Sequence, residues 1–339
     1  MISTKVAFTL LLVTSSIIHG QAPRATAQQQ DFKSWATPWD KTRPRDAFVD
    51  QKGRVWFVGQ VGNYVANLDP KSGEFKRYTI EPGTNPHNLV VDTKGMVWFT
   101  GNANGRIVKL DPASGKLTTF LMPDPAVRDP HTMTFDRKGD AWFTAQGAGV
   151  VGRLTQADGK IRLWKMEGNS RPYGIWLDSH DQPWFDLFGT NKIGTIDPSS
   201  GTFTTYPLPN DRTRPRRIAV TPDDIVWYGD YTRGMLGRLD PRTGATEEFL
   251  LPSGAGSLPY GMTVDDRGRI WLAETGPQPN RLVAFDPAKK AFTETIVIPS
   301  DGANTIRHMV FDKNSRQIWF GADANMIGRV NVSPSPLVP

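Results

Sequence analysis

The 339-residue chain has no cysteine, so no disulfide holds it. That is no handicap: a chain of about 300 residues buries enough surface to do without staples. Past residue 18 no apolar run is long enough to span a bilayer. Lysine and arginine form no runs and the formal net charge is only +6, so neither a nucleic-acid stripe nor a membrane span is expected. There is no glycine-rich phosphate loop, no zinc-ligand spacing and no Gly-x-Ser-x-Gly elbow. Histidine is scarce, with five in the whole chain, so the place of each one is informative.

The ends of the chain read separately from its body. Lys5 precedes an apolar run from Val6 to Ile18, then polar residues and Ala25-Thr26-Ala27. This is the pattern of a secretory signal peptide over residues 1–27, cleaved after Ala27, and it implies a periplasmic or secreted protein. Residues 28–331 read as one domain and 332–339, rich in Ser and Pro, as a flexible tail.

Within the domain one unit recurs seven times. Its clearest copy runs from Asp129-Pro130-His131 through Met133 and Phe135, across Asp136-Arg137-Lys138-Gly139, to Trp142-Phe143-Thr144. Met133 and Phe135 alternate with polar neighbours, the period of a half-buried strand. The glycine of the turn can take positive φ, and the aromatic pair opens a second strand. Trp56, Trp98, Trp142, Trp184, Trp227, Trp271 and Trp319 mark the register, at spacings of 42, 44, 42, 43, 44 and 48 residues. Two more strands follow each tryptophan, separated by turns such as Asp111-Pro112 with Gly115 and Asp240-Pro241 with Gly244. The predicted fold is all-β, a seven-bladed propeller of four-stranded blades. The last repeat stops at its third strand, Ile327–Val330, while Phe32–Thr37 resembles a stray fourth strand. The N-terminal segment is therefore expected to pair into the last blade, closing the ring and covering a sheet edge. A closed ring is expected to be a monomer.

A site must be sought in the stretches that lead into the innermost strands, because these meet at the channel mouth. The residues there are Arg45, His87, His131, Tyr173, Arg216, Tyr260 and Arg307, all polar or polar-tipped. Arg43, Asn85, Asp129, Arg171 and Arg214 precede them, and Asp46, Asn88, Arg217 and His308 follow. Three of the four histidines beyond the leader share this register, with only His180 in a surface turn. His87 and His131, with Asp129 two residues before the latter, are the candidate catalytic group, since imidazole does acid–base work near neutral pH. Arg45, Arg214, Arg216 and Arg307, with Tyr173, Tyr260 and His308, are candidate ligand-binding groups, since guanidinium holds carboxylate or phosphate in bidentate fashion. The expected partner is a small-molecule or peptide-like ligand, anionic if the arginines hold it. Equally, the arginines could be neutralised by Asp46, Asp230 or Glu274, the histidines could cap backbone groups, and Asp230 or Glu274 could hold a cation.

The repeats resemble the virginiamycin B lyase (streptogramin B lyase) family of seven-bladed propellers. The residues that carry the resemblance are Arg171-Pro172-Tyr173-Gly174-Ile175, Val97-Trp98-Phe99-Thr100, Asn191-Lys192-Ile193-Gly194 and Ile327-Gly328-Arg329, and it covers essentially the whole mature chain. The resemblance implies a Mg2+-dependent elimination that opens the ester of a cyclic depsipeptide without adding water. It also implies that His131 transfers the proton and that His87 and Asp129 hold metal or substrate, Asp129 standing where the family has Glu. Where the family has a further metal-binding Glu, this chain has Ala145 and Gln146. Two other functions fit the same residues: a lactonase-type hydrolase with a channel metal, for which Glu274 and Asn102 are available, and a non-catalytic binding propeller with an anion-binding mouth.

Overall fold

A computed structural model describes residues 32–299 and 304–332. The leader expected over 1–27 and the tail beyond Val332 lie outside the described residues. Val332 itself is buried, and its N–H donates to the carbonyl of Arg316 at 2.9 Å.

Seven four-stranded antiparallel sheets form the propeller, with one short 3-10 turn at Gly254–Gly256. Blade 1 takes Pro44–Val49, Val55–Gly59, Tyr64–Leu68 and Phe75–Thr79 in order. Blades 2 to 6 repeat the pattern, with inner strands Pro86–Val91, Pro130–Phe135, Pro172–Leu177, Pro215–Val220 and Pro259–Val264. Blade 7 takes Ile306–Asp312, Gln317–Ala322 and Met326–Asn331, and its fourth strand is Lys33–Ala36 from the N-terminus. The closure read from the sequence is therefore present, in the register Lys33↔Arg329 and Trp35↔Ile327. Trp35 stacks on Trp319 at 5.4 Å, as Trp164 stacks on Trp142 at 5.5 Å within blade 3, so the borrowed strand fills the same place as a native fourth strand.

The register tryptophan is fixed by a carboxylate six residues earlier. Trp56, Trp98, Trp142, Trp184 and Trp271 donate Nε1 to Asp50, Asp92, Asp136, Asp178 and Asp265 at 2.8–3.2 Å. The other oxygen of the same aspartate accepts backbone N–H groups of the turn, as Asp92 does from Lys94 and Met96 at 2.9 Å. One side chain thus closes the hairpin and pins the largest core residue. In blade 5 Thr221 replaces the aspartate, at 3.3 Å from Trp227. In blade 7 the turn is longer, and Trp319 Nε1 is buried without a partner.

The glycine of the Ile-Gly-Arg motif has a packing cause. On Gly152 a Cβ would lie 2.2 Å from the ring of Phe143, its cross-strand partner, and Gly194, Gly237 and Gly328 face Phe185, Tyr228 and Phe320 in the same way. The aromatic of the second strand lies flat on the third, which only glycine permits.

Each inner strand slips register at one place near its start. Pro130 pairs with Ala145 but Met133 pairs with Phe143, three residues against two, and blades 2, 4, 6 and 7 shift likewise; blade 1 slips after its second residue, Arg45, and blade 5 by two residues against one. Such a bulge re-aims side chains and ends strict alternation. Its result is that two successive residues of each blade turn toward the channel.

Candidate functional site

The residues that follow the leading proline (Ile306 in blade 7) are therefore two rings of seven. The first is Arg45, His87, His131, Tyr173, Arg216, Tyr260 and Arg307; the second is Asp46, Asn88, Thr132, Gly174, Arg217, Gly261 and His308. His87 and His131 are 4% and 3% exposed, and their rings lie 3.6 Å apart between centroids with a 37° tilt. His131 packs in turn on Tyr173 at 4.1 Å, and the hydroxyls of Tyr173 and Tyr260 are 2.5 Å apart. The guanidinium of Arg216 sits 3.8 Å over the Tyr260 ring and 4.2 Å over Tyr231. Arg45 donates Nε to Asp46 at 2.9 Å and Nη1 to Gln60 at 3.1 Å, while Arg307 pairs with Asp323.

The second ring ties the blades together below these groups. Asn88 donates to Asp46 at 2.8 Å and accepts from the backbone N–H of Met133 at 2.9 Å. Arg217 crosses from blade 5 to donate Nη1 to Thr132 Oγ1 in blade 3 at 3.1 Å, and Thr132 Oγ1 also meets His131 Nδ1 at 2.9 Å. Asp46 adopts φ 50°, a left-handed conformation held by its bonds to Arg45 and Asn88.

Charge in this channel is governed by burial and arginine. Burial, followed by the guanidiniums, holds His87 and His131 well below the usual imidazole range, so both are neutral at neutral pH. His308 is pulled down to about 4 by burial, with Asp46 opposing and Arg217 and Arg45 adding. Burial pushes Asp46 up, but Arg45, His308, Arg217 and the bond from Asn88 outweigh it and hold the carboxyl low and ionised. Asp186, on the second strand of blade 4, goes the other way: burial pushes it well above the usual range despite Arg217 and Arg216.

Three sequence candidates fall elsewhere. Asp129 does not join the imidazoles: its carboxylate accepts the N–H groups of Gly147 and, at 3.3 Å, Ala148, clamping the loop between the second and third strands of blade 3. Proline starts the inner strand, so a residue before it belongs to the loop side. Arg214 likewise donates Nη1 to the carbonyls of Asp211 and Thr213 at 2.8 and 2.6 Å, bracing its own loop. His308 lies on the Asp46 side of the channel, without ring contact to the other two histidines among the described residues. Asp230 and Glu274 are loop clamps of the same kind as Asp129, accepting from Arg214 N and Ser253 N at 3.0 and 2.8 Å. Reading the sequence missed the weight of Arg217 and Thr132, and missed Asp186 altogether; Asp186 takes the place of Thr100 and Thr144 in their blades and accepts from Gly174 N at 3.0 Å.

These placements bear on a metal. Mg2+ asks for hard anionic oxygens. The mouth offers two buried imidazoles, and its carboxylates are already committed: Asp129 to backbone N–H groups, Asp46 to Arg45 and Asn88, and Asp323 to Arg307. Gln146 is satisfied with its amide oxygen turned to Arg171, accepting from Nη2 at 2.6 Å and Nε at 3.3 Å. Among the described residues, the one cluster of three metal-capable groups is Asp178, His180 and Asp224, on the turn face. The residues at the mouth do not fit Mg2+, and no step is derived through it. A cavity of about 480 Å3 on that same turn face, bounded by Phe48, Val90, Asp92, Phe135, Asp136 and Arg137, includes none of the channel residues.

The virginiamycin B lyase family model matches residues 84–335. The chain belongs to that family. A crystal structure of virginiamycin B lyase from Staphylococcus aureus is 26% identical, covering 89% of this chain and 99% of that one, with a TM-score of 0.81. A catalytically inactive form of the Staphylococcus aureus lyase with quinupristin aligns at 26% identity over 89% of this chain and 99% of that chain, with a TM-score of 0.80. Hydrazine synthase from Kuenenia stuttgartiensis, 12% identical over 88% of this chain and 97% of that one with a TM-score of 0.72, shares the fold alone. A search of curated proteins finds no match. No helix among the described residues is long and apolar enough to cross a membrane.

Proposed function

We propose that this family member is an exported lyase that opens an ester or lactone by elimination at the His87–His131 end of the channel. The observation that carries this reading is the pair of buried, neutral imidazoles in face contact beside a guanidinium-rich channel. Thr132 Oγ1 accepts from Arg217 and has a second lone pair for His131 Nδ1–H. With Nδ1 donating, Nε2 of His131 carries the free lone pair of a base. His131 takes the proton from the carbon one bond removed from the ester-bearing carbon; that electron pair forms a C=C bond as the C–O bond breaks, and the acyl part leaves as a carboxylate. Water is not consumed. Arg45, Arg216 and Arg307 supply positive charge where that carboxylate develops. His87 orients the ligand against His131, and Asp129 shapes the mouth through its loop clamp.

Elimination beside a carbonyl creates a conjugated alkene, which absorbs in the near ultraviolet; hydrolysis does not. Growth of that band with a quinupristin-type depsipeptide or a simple lactone, absent with the His131→Ala protein, supports the lyase. Ester opening without the band assigns the lactonase-type hydrolase instead. The second reading, a binding propeller, is favoured by Arg45 Nη2, Arg216 Nε and Arg217 Nη2, all buried with no partner. It predicts no turnover, with sulfate or a dicarboxylate raising the melting temperature. Export rests on the leader read over residues 1–27, and a mature N-terminus at residue 28 in the periplasmic fraction tests it.

A further inference from the structure

We propose that Tyr173 and Tyr260 form a single acid–base unit, a hydrogen-bonded tyrosine–tyrosinate pair that is a second resident anion of the channel beside Asp46. The two phenols come from blades 4 and 6 and meet at 2.5 Å between oxygens, with both residues buried. Blade 5 lies between them and supplies two adjacent arginines. Arg216 stacks on Tyr260 at 3.8 Å and Arg217 lies 5.2 Å from the Tyr173 ring.

The argument is a charge balance. Two of the nearby guanidiniums have carboxylates of their own: Arg45 has Asp46, and Arg307 has Asp323. Arg216 and Arg217 form no ion pair among the described residues. Arg217, 4% exposed, spends its bonds on a hydroxyl and a carbonyl and leaves Nη2 buried without a partner. A buried cation without counter-charge is costly enough that proteins rarely leave one. The other titratable groups facing this point do not answer it. Burial holds His87, His131 and His308 neutral, and disfavours charge on Asp186. Tyr231 flanks Arg216 by its ring, with no hydrogen bond to its hydroxyl among the described residues. The phenol pair remains. Loss of one proton to solvent leaves O–H···O⁻ between them, the short charge-assisted form of the bond.

Burial opposes ionisation at both phenols. At Tyr260 the guanidiniums of Arg45, Arg216 and Arg217, with the bond from Tyr173, overcome it and pull the group down to about 7. At Tyr173 burial and the neighbouring phenol push it up to about 12, so the pair releases one proton early and keeps the second. The consequence is an acid–base group in contact with His131 through the Tyr173 ring. The inference stands whether or not the channel turns over an ester.

The test is a pH titration of the tyrosinate absorbance of the folded, mature protein, with folding of each variant followed by circular dichroism. One of the seven tyrosines should ionise with a midpoint of about 7. The step should vanish in Tyr260→Phe and move to higher pH in Arg216→Gln. It should stay in place in Asp186→Asn. The proposal is overturned if no tyrosinate forms in the folded wild type below the range of ordinary tyrosines, or if the early step survives in Tyr260→Phe. A lower midpoint in Asp186→Asn would also overturn it, by making Asp186 the counter-ion.

Discussion

His87 and His131, from neighbouring blades, pack with their ring centroids 3.6 Å apart at a 37° tilt, and only His131 is tied by its Nδ1 to a hydroxyl. Their roles are therefore unequal and coupled. His131→Ala should lower turnover by about two to four orders of magnitude, the usual worth of an acid–base residue. His87→Ala should lower it less, and the double variant should be little worse than His131→Ala, as for groups that act as a unit. Steady-state rates of the three variants check this, and additive losses would contradict it.

The closing strand makes a second prediction. Trp35 stacks on Trp319, and Phe32 packs against the core of blade 7. Trp35→Ala should cost about 1–3 kcal/mol, less than for a fully buried ring because Trp35 is half-buried. Deleting residues 28–38 should lower the melting temperature far more, since it bares an open sheet edge. Equal melting temperatures for the deletion and the wild type would refute the role.

The aspartate–tryptophan clasp predicts an asymmetry between blades. Asp92→Ala removes one side-chain and two backbone hydrogen bonds, leaving a buried indole N–H unpaired, and should cost about 2–3 kcal/mol. Removing the indole N–H of Trp319 should cost little through hydrogen bonding, because that N–H has no partner to lose. Trp98→Phe and Trp319→Phe, compared by denaturant unfolding, separate the two cases: the excess cost at Trp98 should be about 1 kcal/mol.

The phenol pair predicts a direction in pH. Tyr260 is an acid whose folded pKa, about 7, lies below the ordinary 10.0. Its stabilising contribution is complete above pH 10, declines as pH falls from 10 toward 7, and is absent below. The stability difference between wild type and Tyr260→Phe should therefore widen as pH rises through that window. A constant difference in urea unfolding across it would contradict the prediction.

How far the sequence speaks can be judged residue by residue. The seven tryptophans marked blade number and register because each stands at one geometric place at the start of the second strand, five of them held there by a turn aspartate. Phe32–Thr37 was legible as the missing strand because it copies the fourth-strand pattern. Asp129 was misleading: two residues from His131 in the chain, it lies across the start of the strand and serves the loop. The bulge has no signature of its own, yet it left one trace in paired polar residues. Arg45-Asp46, His87-Asn88 and Arg216-Arg217 would alternate in and out on a regular strand, and here both members face the channel. Asp186 was hidden because it sits in the Trp-Phe-Thr motif, where a polar residue reads as structural.

The most direct measurement is the mass of the product formed when the purified protein is incubated with a quinupristin-type depsipeptide and with simple lactones. Elimination predicts a ring-opened product of unchanged mass, formed by wild type and lost with His131→Ala. A product heavier by one water, or ring opening that persists undiminished without His131, would contradict the account.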